Sequence, residues 1–311
     1  MPRLTLLPED LPIDAAPGTT VLDAALGAGI PLTHACGGQA KCSTCRILVL
    51  AGADALGPRT DAEQDMAGRR AFGDGVRLAC QAQLLGDATV RRLVVDEDDR
   101  VLVRDETTGT GPKGVGAERR VAVLFADVRD FTAFAESQLP YDVIHVLNRF
   151  FLRVHGVVDR HGGQIDNFMG DGVMALFGMD GAPDATARAV HAGLDLLDEA
   201  RALSGYVEAQ FHRPFRIGVG VHAGPVILGA VGAGERRRLT AIGDTVNLAS
   251  RVEGANRAAG TELLVTQGAL DEVRDRVVVG RRIDLALKGK SGTHALFEVT
   301  GWAGGTSSRD G

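Results

Sequence analysis

No stretch of this 311-residue chain approaches the roughly 20 apolar residues of a membrane-spanning helix. The N-terminus, MPRLTLLPEDLPIDAAPG, also lacks the apolar core of a secretory signal, so a soluble, cytoplasmic protein with no membrane partner is expected. A basic surplus is missing too. The net charge is −6 and the Lys and Arg residues are dispersed, which leaves a nucleic-acid partner without an electrostatic footprint. The one basic cluster, Arg236-Arg237-Arg238, reads as a solvated hairpin turn. There is no internal repeat. Cysteine is absent after residue 80, and all four cysteines fall within the first 80 residues, which marks the N-terminal part as a domain of its own. An apolar content of 45% suffices for two cores, and the length suggests two domains of the usual size of roughly 100–150 residues.

The cysteines follow the pattern Cys36-x5-Cys42-x2-Cys45, with Cys80 far behind. The first three share a Gly-rich loop, THACGGQAKCSTC, where Gly37 and Gly38 let the backbone curl so that its amides face an anionic group. Cys80 ends a strand-like VRLAC. A structural zinc site usually shows two short Cys pairs, and here the last cysteine stands alone. Disulfides do not suit a reducing compartment, and three cysteines within ten residues of a Gly-rich loop are poor core packing. The spacing resembles the [2Fe–2S] ferredoxin pattern; the five-residue first gap and the RLACQ around Cys80 are similar to the adrenodoxin-like and bacterial branch. That resemblance implies a β-grasp fold over residues 1–97, a [2Fe–2S] cluster on Cys36, Cys42, Cys45 and Cys80, and a redox partner protein. The Cys-x-His pairs of a Rieske site are absent, and His34 reads as a loop histidine.

Two carboxylates dominate the second half. Asp127 ends the apolar run Val121–Asp127, and Asp171 lies in the Gly170-Asp171-Gly172 break of IDNFMGDGVMALFG, a hairpin signal. Both runs read as buried strands, which would display the carboxylates on rigid strand ends where divalent cations could be held over a polyphosphate. From Thr245 onward, Leu248, Ala249, Val252 and Ala255 fall at helical spacing. Asn247 and Arg251, four apart, share one face of that helix. Lys288 and Lys290 occupy a Gly-punctuated turn between two strand-like runs.

Five motifs in order, FADVRDFTAF, DNFMGDGVMALFG, GVGVHAG, AIGDTVNLASR and LKGKSG, resemble the class III nucleotide cyclase catalytic domain over about residues 117–300. The resemblance implies an α+β chain whose second domain has a ferredoxin-like βαββαβ core. It implies Asp127 and Asp171 as ligands of two Mg²⁺ or Mn²⁺ ions, Asn247 on the ribose, Arg251 on the α-phosphoryl oxygens and Lys288 on the β- and γ-phosphates. The amides of Phe131, Thr132, Ala133 and Phe134, at a helix start, would add an anion site. Members of this family build each site from two subunits, so a homodimer with composite sites is implied. His222 reads as a strand-end histidine bonded in the core, Lys290 as a solvated turn residue and Asp244 as part of the turn before the helix.

The base-reading positions depart from the family. Adenylyl cyclases usually carry Lys where Asn167 stands and Asp or Thr where Thr240 stands; guanylyl cyclases usually have Glu and Cys. An Asn amide can serve adenine or, flipped, guanine. Thr240 favours ATP, with GTP as the alternative. Asp130 replaces a usual Gly, where it either caps the helix or adds a third carboxylate near the metals. Between the domains, residues 98–116 read as a Gly- and Thr-rich flexible linker, and residues 301–311 as a disordered tail. Cyclisation is redox-neutral, so the cluster is expected to regulate the cyclase. The alternatives are a constitutive cyclase whose ferredoxin domain serves as an electron carrier or docking module, and an electron carrier with a degenerate cyclase-like domain.

Overall fold

The computed structural model describes residues 1–93, 117–232 and 238–303. The expected linker, Arg236 and Arg237 of the basic cluster, and residues 304–311 lie outside the described residues. The chain divides into two compact units, Met1–Ala117 with Gly229–Leu239, and Glu118–Leu228 with the chain from Thr240 onward. No described helix is long and apolar enough to cross a membrane.

The first unit is a five-stranded sheet built from β1 (Arg3–Leu7), β2 (Leu11–Asp14), β3 (Arg46–Ala51), β4 (Val76–Leu78) and β5 (Ala88–Arg92), in the order β2-β1-β5-β3-β4. β1 and β5 run parallel while the other pairs are antiparallel. Helix α1 (Val21–Gly27) starts where the Thr20 hydroxyl accepts from the Asp23 amide, and it buries Val21, Leu22, Ala24 and Ala25 against Leu4, Leu6, Ile47 and Val90. Helix α2 (Asp61–Arg69) carries one buried charge, Glu63, whose carboxylate accepts from Arg77 Nε and Nη2 at 2.8 and 2.9 Å and from the Leu78 amide at 2.7 Å. This ties α2 to β4, two residues before Cys80.

The second unit runs β6 (Ala117–Val128), α3 (Phe131–Ser137), α4 (Pro140–Arg160), β7 (Gly163–Met169), β8 (Gly172–Phe177), α5 (Ala185–Phe211) and β9 (Ile217–Val231). It continues through β10 (Arg238–Ile242), α6 (Asp244–Ala259), β11 (Leu263–Thr266), α7 (Gln267–Val273), β12 (Val277–Ala286) and β13 (Thr293–Trp302). The sheet order β12-β13-β11-β9-β6-β8-β7, with β10 paired to β9, contains the βαββαβ arrangement β9-β6-β8-β7. From Val121 to Ala126 β6 is apolar because both its faces are covered. Ala122, Leu124 and Ala126 meet Phe150, Val154 and Val157 of α4 and Val190, Leu196 and Leu203 of α5, while Val121, Val123 and Phe125 meet Val226, Leu228, Ala241 and Ala249 on the other side.

Three expectations need correction. β8 is buried from end to end, but β7 is the edge strand and is only half-buried, with Phe168 and Met169 exposed. The chain is still a strand at residue 301, because β13 continues to Trp302, whose indole stacks on His191 at 4.5 Å. His222 lies in the middle of β9 rather than at its end.

Candidate active site and cluster-binding loop

β6 delivers Asp127 one residue before its end, on the face opposite α4 and α5. The two-residue turn Gly170-Asp171, with Gly170 at φ +67°, joins Met169 to its partner Gly172 and brings Asp171 against Asp127. The two carboxyl groups lie close enough for each to shift the other's ionisation. Burial, with the Asp171 charge beside it, pushes the Asp127 carboxyl up to about 6, and burial raises Asp171 as well. Like charges held together in a half-buried site fit a cation that would relieve them. Among the described residues no three His, Cys, Asp or Glu side chains converge on one ion. Further ligands of Mg²⁺ or Mn²⁺ would therefore be substrate phosphates and water, the usual construction for Mg²⁺.

Asp130 neither caps the helix nor joins the carboxylates. It sits at φ +55° before α3 without a side-chain capping bond, and its carboxylate accepts from Arg257 Nη2 at 3.0 Å. The left-handed backbone is the physical reason Gly suits this position. In α3 the Phe134 amide already donates to the Asp130 carbonyl at 3.1 Å, and the Phe131 and Phe134 rings pack on the core. Thr132 and Ala133 occupy the exposed first turn between them.

α6 begins at Asp244, which pairs with Lys290, so Lys290 braces the helix start rather than being merely solvated. The helix buries Ala249, Val252 and Ala255, and leaves Asn247 and Arg251 exposed on its opposite face. Lys288 is exposed in the β12–β13 connection. None of these three side chains is hydrogen-bonded to Asp127 or Asp171 among the described residues. Asn167 is half-buried on β7, and the Thr240 hydroxyl on β10 donates to Asp166 Oδ2 at 2.7 Å.

The GVGVHAG motif serves packing. A Cβ on Gly218 would run into the Arg129 guanidinium and Glu253 Oε1, and one on Gly220 would lie 2.5 Å from the Glu253 Cα. These glycines let α6 lie directly on β9, where Asn256 Nδ2 donates to the Val219 carbonyl at 2.8 Å and the Thr245 hydroxyl to the Pro225 carbonyl at 2.6 Å. Burial, opposed by Arg129, pushes Glu253 up to about 7; the Arg129 Nη2 to Glu253 Oε1 distance is 3.6 Å. Sequence reasoning missed Arg129, Glu253, Asn256 and Asp166. Arg129 meets Glu253 only by tertiary contact, and Glu253 and Asn256, three apart on α6, show their role only once β9 lies beneath them; Asp166 neighbours Asn167 in sequence and offered no periodic signal.

In the first unit the cysteines form two pairs. Cys36 and Cys42 are hydrogen-bonded to each other, and Cys45 Sγ lies 3.6 Å from Cys80 Sγ. That separation matches the edge of a sulfur tetrahedron, about 3.7 Å for metal–sulfur bonds of about 2.3 Å. The loop turns through positive φ at Gly37, Gly38 and Ala40. The Cys36 sulfur accepts from the amides of Gln39, Lys41 and Cys42, and the Cys80 sulfur from the Ala40 amide and Gln81 Nε2. The Cys45 thiol bonded to Cys80 pulls the latter down to about 6. Two cysteine pairs in a nest of amides fit a two-iron cluster, one pair for each iron. His34 Nδ1 donates to the Leu32 carbonyl at 2.7 Å, a loop contact.

Residues 115–299 match the adenylate and guanylate cyclase catalytic domain. The chain belongs to this family. Residues 4–85 match the 2Fe-2S iron-sulfur cluster binding domain, so a [2Fe–2S] ferredoxin domain is fused to a class III cyclase domain. Adenylate cyclase 1 of Rhizobium meliloti is 35% identical over 193 residues, covering 59% of this chain and 28% of that protein. The adenylate cyclase of Anabaena cylindrica is 31% identical, covering 60% and 38%. The cyclase domain thus spans about a third of these curated relatives. The guanylyl cyclase Cya2 structure is 31% identical with a TM-score of 0.56, covering 62% of this chain and 97% of that one. The adenylyl cyclase CyaB from P. aeruginosa is 29% identical with a TM-score of 0.55, covering 60% and 95%.

Proposed function

We propose that this cyclase domain converts ATP to 3′,5′-cyclic AMP and pyrophosphate in a homodimer with two composite sites. The observation that carries the reading is the crowded Asp127–Asp171 pair, whose mutual repulsion a cation would relieve. Two divalent ions, when bound, supply activation of the ribose 3′-hydroxyl and neutralisation of the departing pyrophosphate. Asp127, near the end of β6, and Asp171, in the β7–β8 turn, would hold them through carboxylate oxygens.

Asn247 and Arg251, exposed four residues apart on α6, suit a site completed across a subunit boundary. Arg251 stabilises charge on the α-phosphoryl oxygens, a preorganised cation worth about 3 kcal/mol in the transition state. Asn247 orients the ribose through its ring oxygen, Lys288 holds the β- and γ-phosphates, and Asn167 with Thr240 reads the base. The test is to supply ATP and GTP separately, with Mg²⁺ or Mn²⁺, and identify the product. Cyclic AMP supports the reading; a linear or absent product overturns it.

Cys36, Cys42, Cys45 and Cys80 hold the cluster, which supplies a one-electron couple when bound. Cyclisation consumes no electron, so the ferredoxin domain's part is control of activity through the charge it gains on reduction. Equal activity of oxidised, reduced and cluster-free protein would end that reading.

A further inference from the structure

Asn167 alone does not fix the base, because its amide serves either purine by flipping. Discrimination then falls on a group that cannot flip. The Thr240 hydroxyl donates to Asp166 Oδ2 at 2.7 Å. A threonine hydroxyl has one proton and two lone pairs, and an ionised carboxylate has no proton to return. With that proton committed, Thr240 presents only lone pairs to any third group.

The placement of Asp166 follows from a local irregularity. Ile165 pairs with Ala175 and Asn167 with Met174, so Asp166 is the extra residue of a β-bulge in the edge strand β7. Neighbours on a regular strand point to opposite faces. A bulge breaks this alternation and re-aims a side chain; here the carboxylate meets Thr240 on β10, a strand not paired with β7.

We propose that Asp166 is a positioning residue for base selection. By taking the Thr240 proton it makes Thr240 an obligate acceptor. Such an oxygen matches the N6 amino group of adenine and opposes the O6 acceptor of guanine. This rests on the cyclase reading, with Thr240 facing the 6-position of the purine.

The test measures kcat/KM for ATP and GTP with the full-length chain. Wild type prefers ATP. Asp166→Ala releases the hydroxyl to donate toward O6, and the ATP:GTP ratio falls roughly tenfold, the scale of one base-edge hydrogen bond. In a Thr240→Val background, Asp166→Ala leaves the ratio where Thr240→Val put it. A purely structural carboxylate would instead lower both nucleotides together and do so with or without the hydroxyl, which would overturn the assignment. So would a wild-type preference for GTP, or an unchanged ratio in Asp166→Ala. If Asp166→Ala unfolds, as read by thermal unfolding, Thr240→Val alone carries the test; it loses the same discrimination, and an unchanged ratio overturns the proposal. If wild type forms no cyclic product from either nucleotide, the cyclase reading itself has failed. Product with an unmoved ratio removes only the role of Asp166.

Discussion

Gly220→Ala tests whether the packing of α6 on β9 sets the geometry of the groups that α6 carries. The added Cβ would lie 2.5 Å from the Glu253 Cα and 2.8 Å from its Cβ, closer still to its backbone nitrogen, whereas ordinary contact begins at 3.4 Å. The helix must lift by at least about 0.9 Å, the difference between 2.5 and 3.4 Å, because the nitrogen lies nearer than the Cα. The obstacle is backbone rather than the end of a flexible chain, and the Asn256–Val219 hydrogen bond at 2.8 Å resists the movement. Overpacking of this kind costs about 1–3 kcal/mol. Asn247 and Arg251 ride on the same helix, and misplacing catalytic groups by about 1 Å lowers the rate on the order of 100-fold. Gly254→Ala is the control, since no atom lies within 4 Å of its Cβ position. There the helix gains about 0.5–1 kcal/mol from the lost glycine entropy and kcat is unchanged. Cyclic nucleotide formation at saturating substrate, together with thermal unfolding of each variant, decides the matter. Wild-type kcat in Gly220→Ala would refute the reasoning.

Two further perturbations address other parts of the fold. His222 Nδ1 bonds the Thr266 hydroxyl at 2.8 Å, and burial, with Arg120 nearby, pulls the ring down to about 4 from 6.5. The neutral ring therefore contributes stability that is fully present above pH 6.5 and is lost as pH falls through 4, about 2 kcal/mol once solvent screening of a half-buried ring is allowed for. His222→Gln should flatten that part of the Tm-against-pH curve; an identical curve would contradict the assignment. Glu63→Ala strips the partly buried Arg77 of its partner, a loss of about 3 kcal/mol. It also loosens the segment leading to Cys80, so faster bleaching of the cluster's visible absorbance on warming is expected, and an unchanged rate would count against the brace.

Much of the candidate site's local structure was legible because its signals are local. The Gly170-Asp171-Gly172 turn announces its own hairpin, and Ala249, Val252 and Ala255 reveal which face of α6 is buried, leaving Asn247 and Arg251 on the other. The cysteine loop could be read from Gly37 and Gly38, where positive φ admits the curl that aims the amides at sulfur. What escaped depends on distant partners. Gly218 and Gly220 look like flexible strand residues until α6 is laid over them. Asp130 looks like a helix cap until its left-handed backbone turns its carboxylate to Arg257. An apolar run does not distinguish the central strand β8 from the edge strand β7, because sheet order is not written in either run. The bulge at Asp166 has no signature in the residues around it.

The central claim is that carboxylates of one protomer and the Asn247–Arg251 couple of its partner complete each site. Mixing Asp127→Ala with Arg251→Ala protein tests it most directly. Each variant alone should be inactive, and the mixture should recover about a quarter of wild-type activity, since half of randomly paired dimers are mixed and each holds one intact site of two. A silent mixture from subunits shown to exchange, or full activity in either variant alone, would contradict the account.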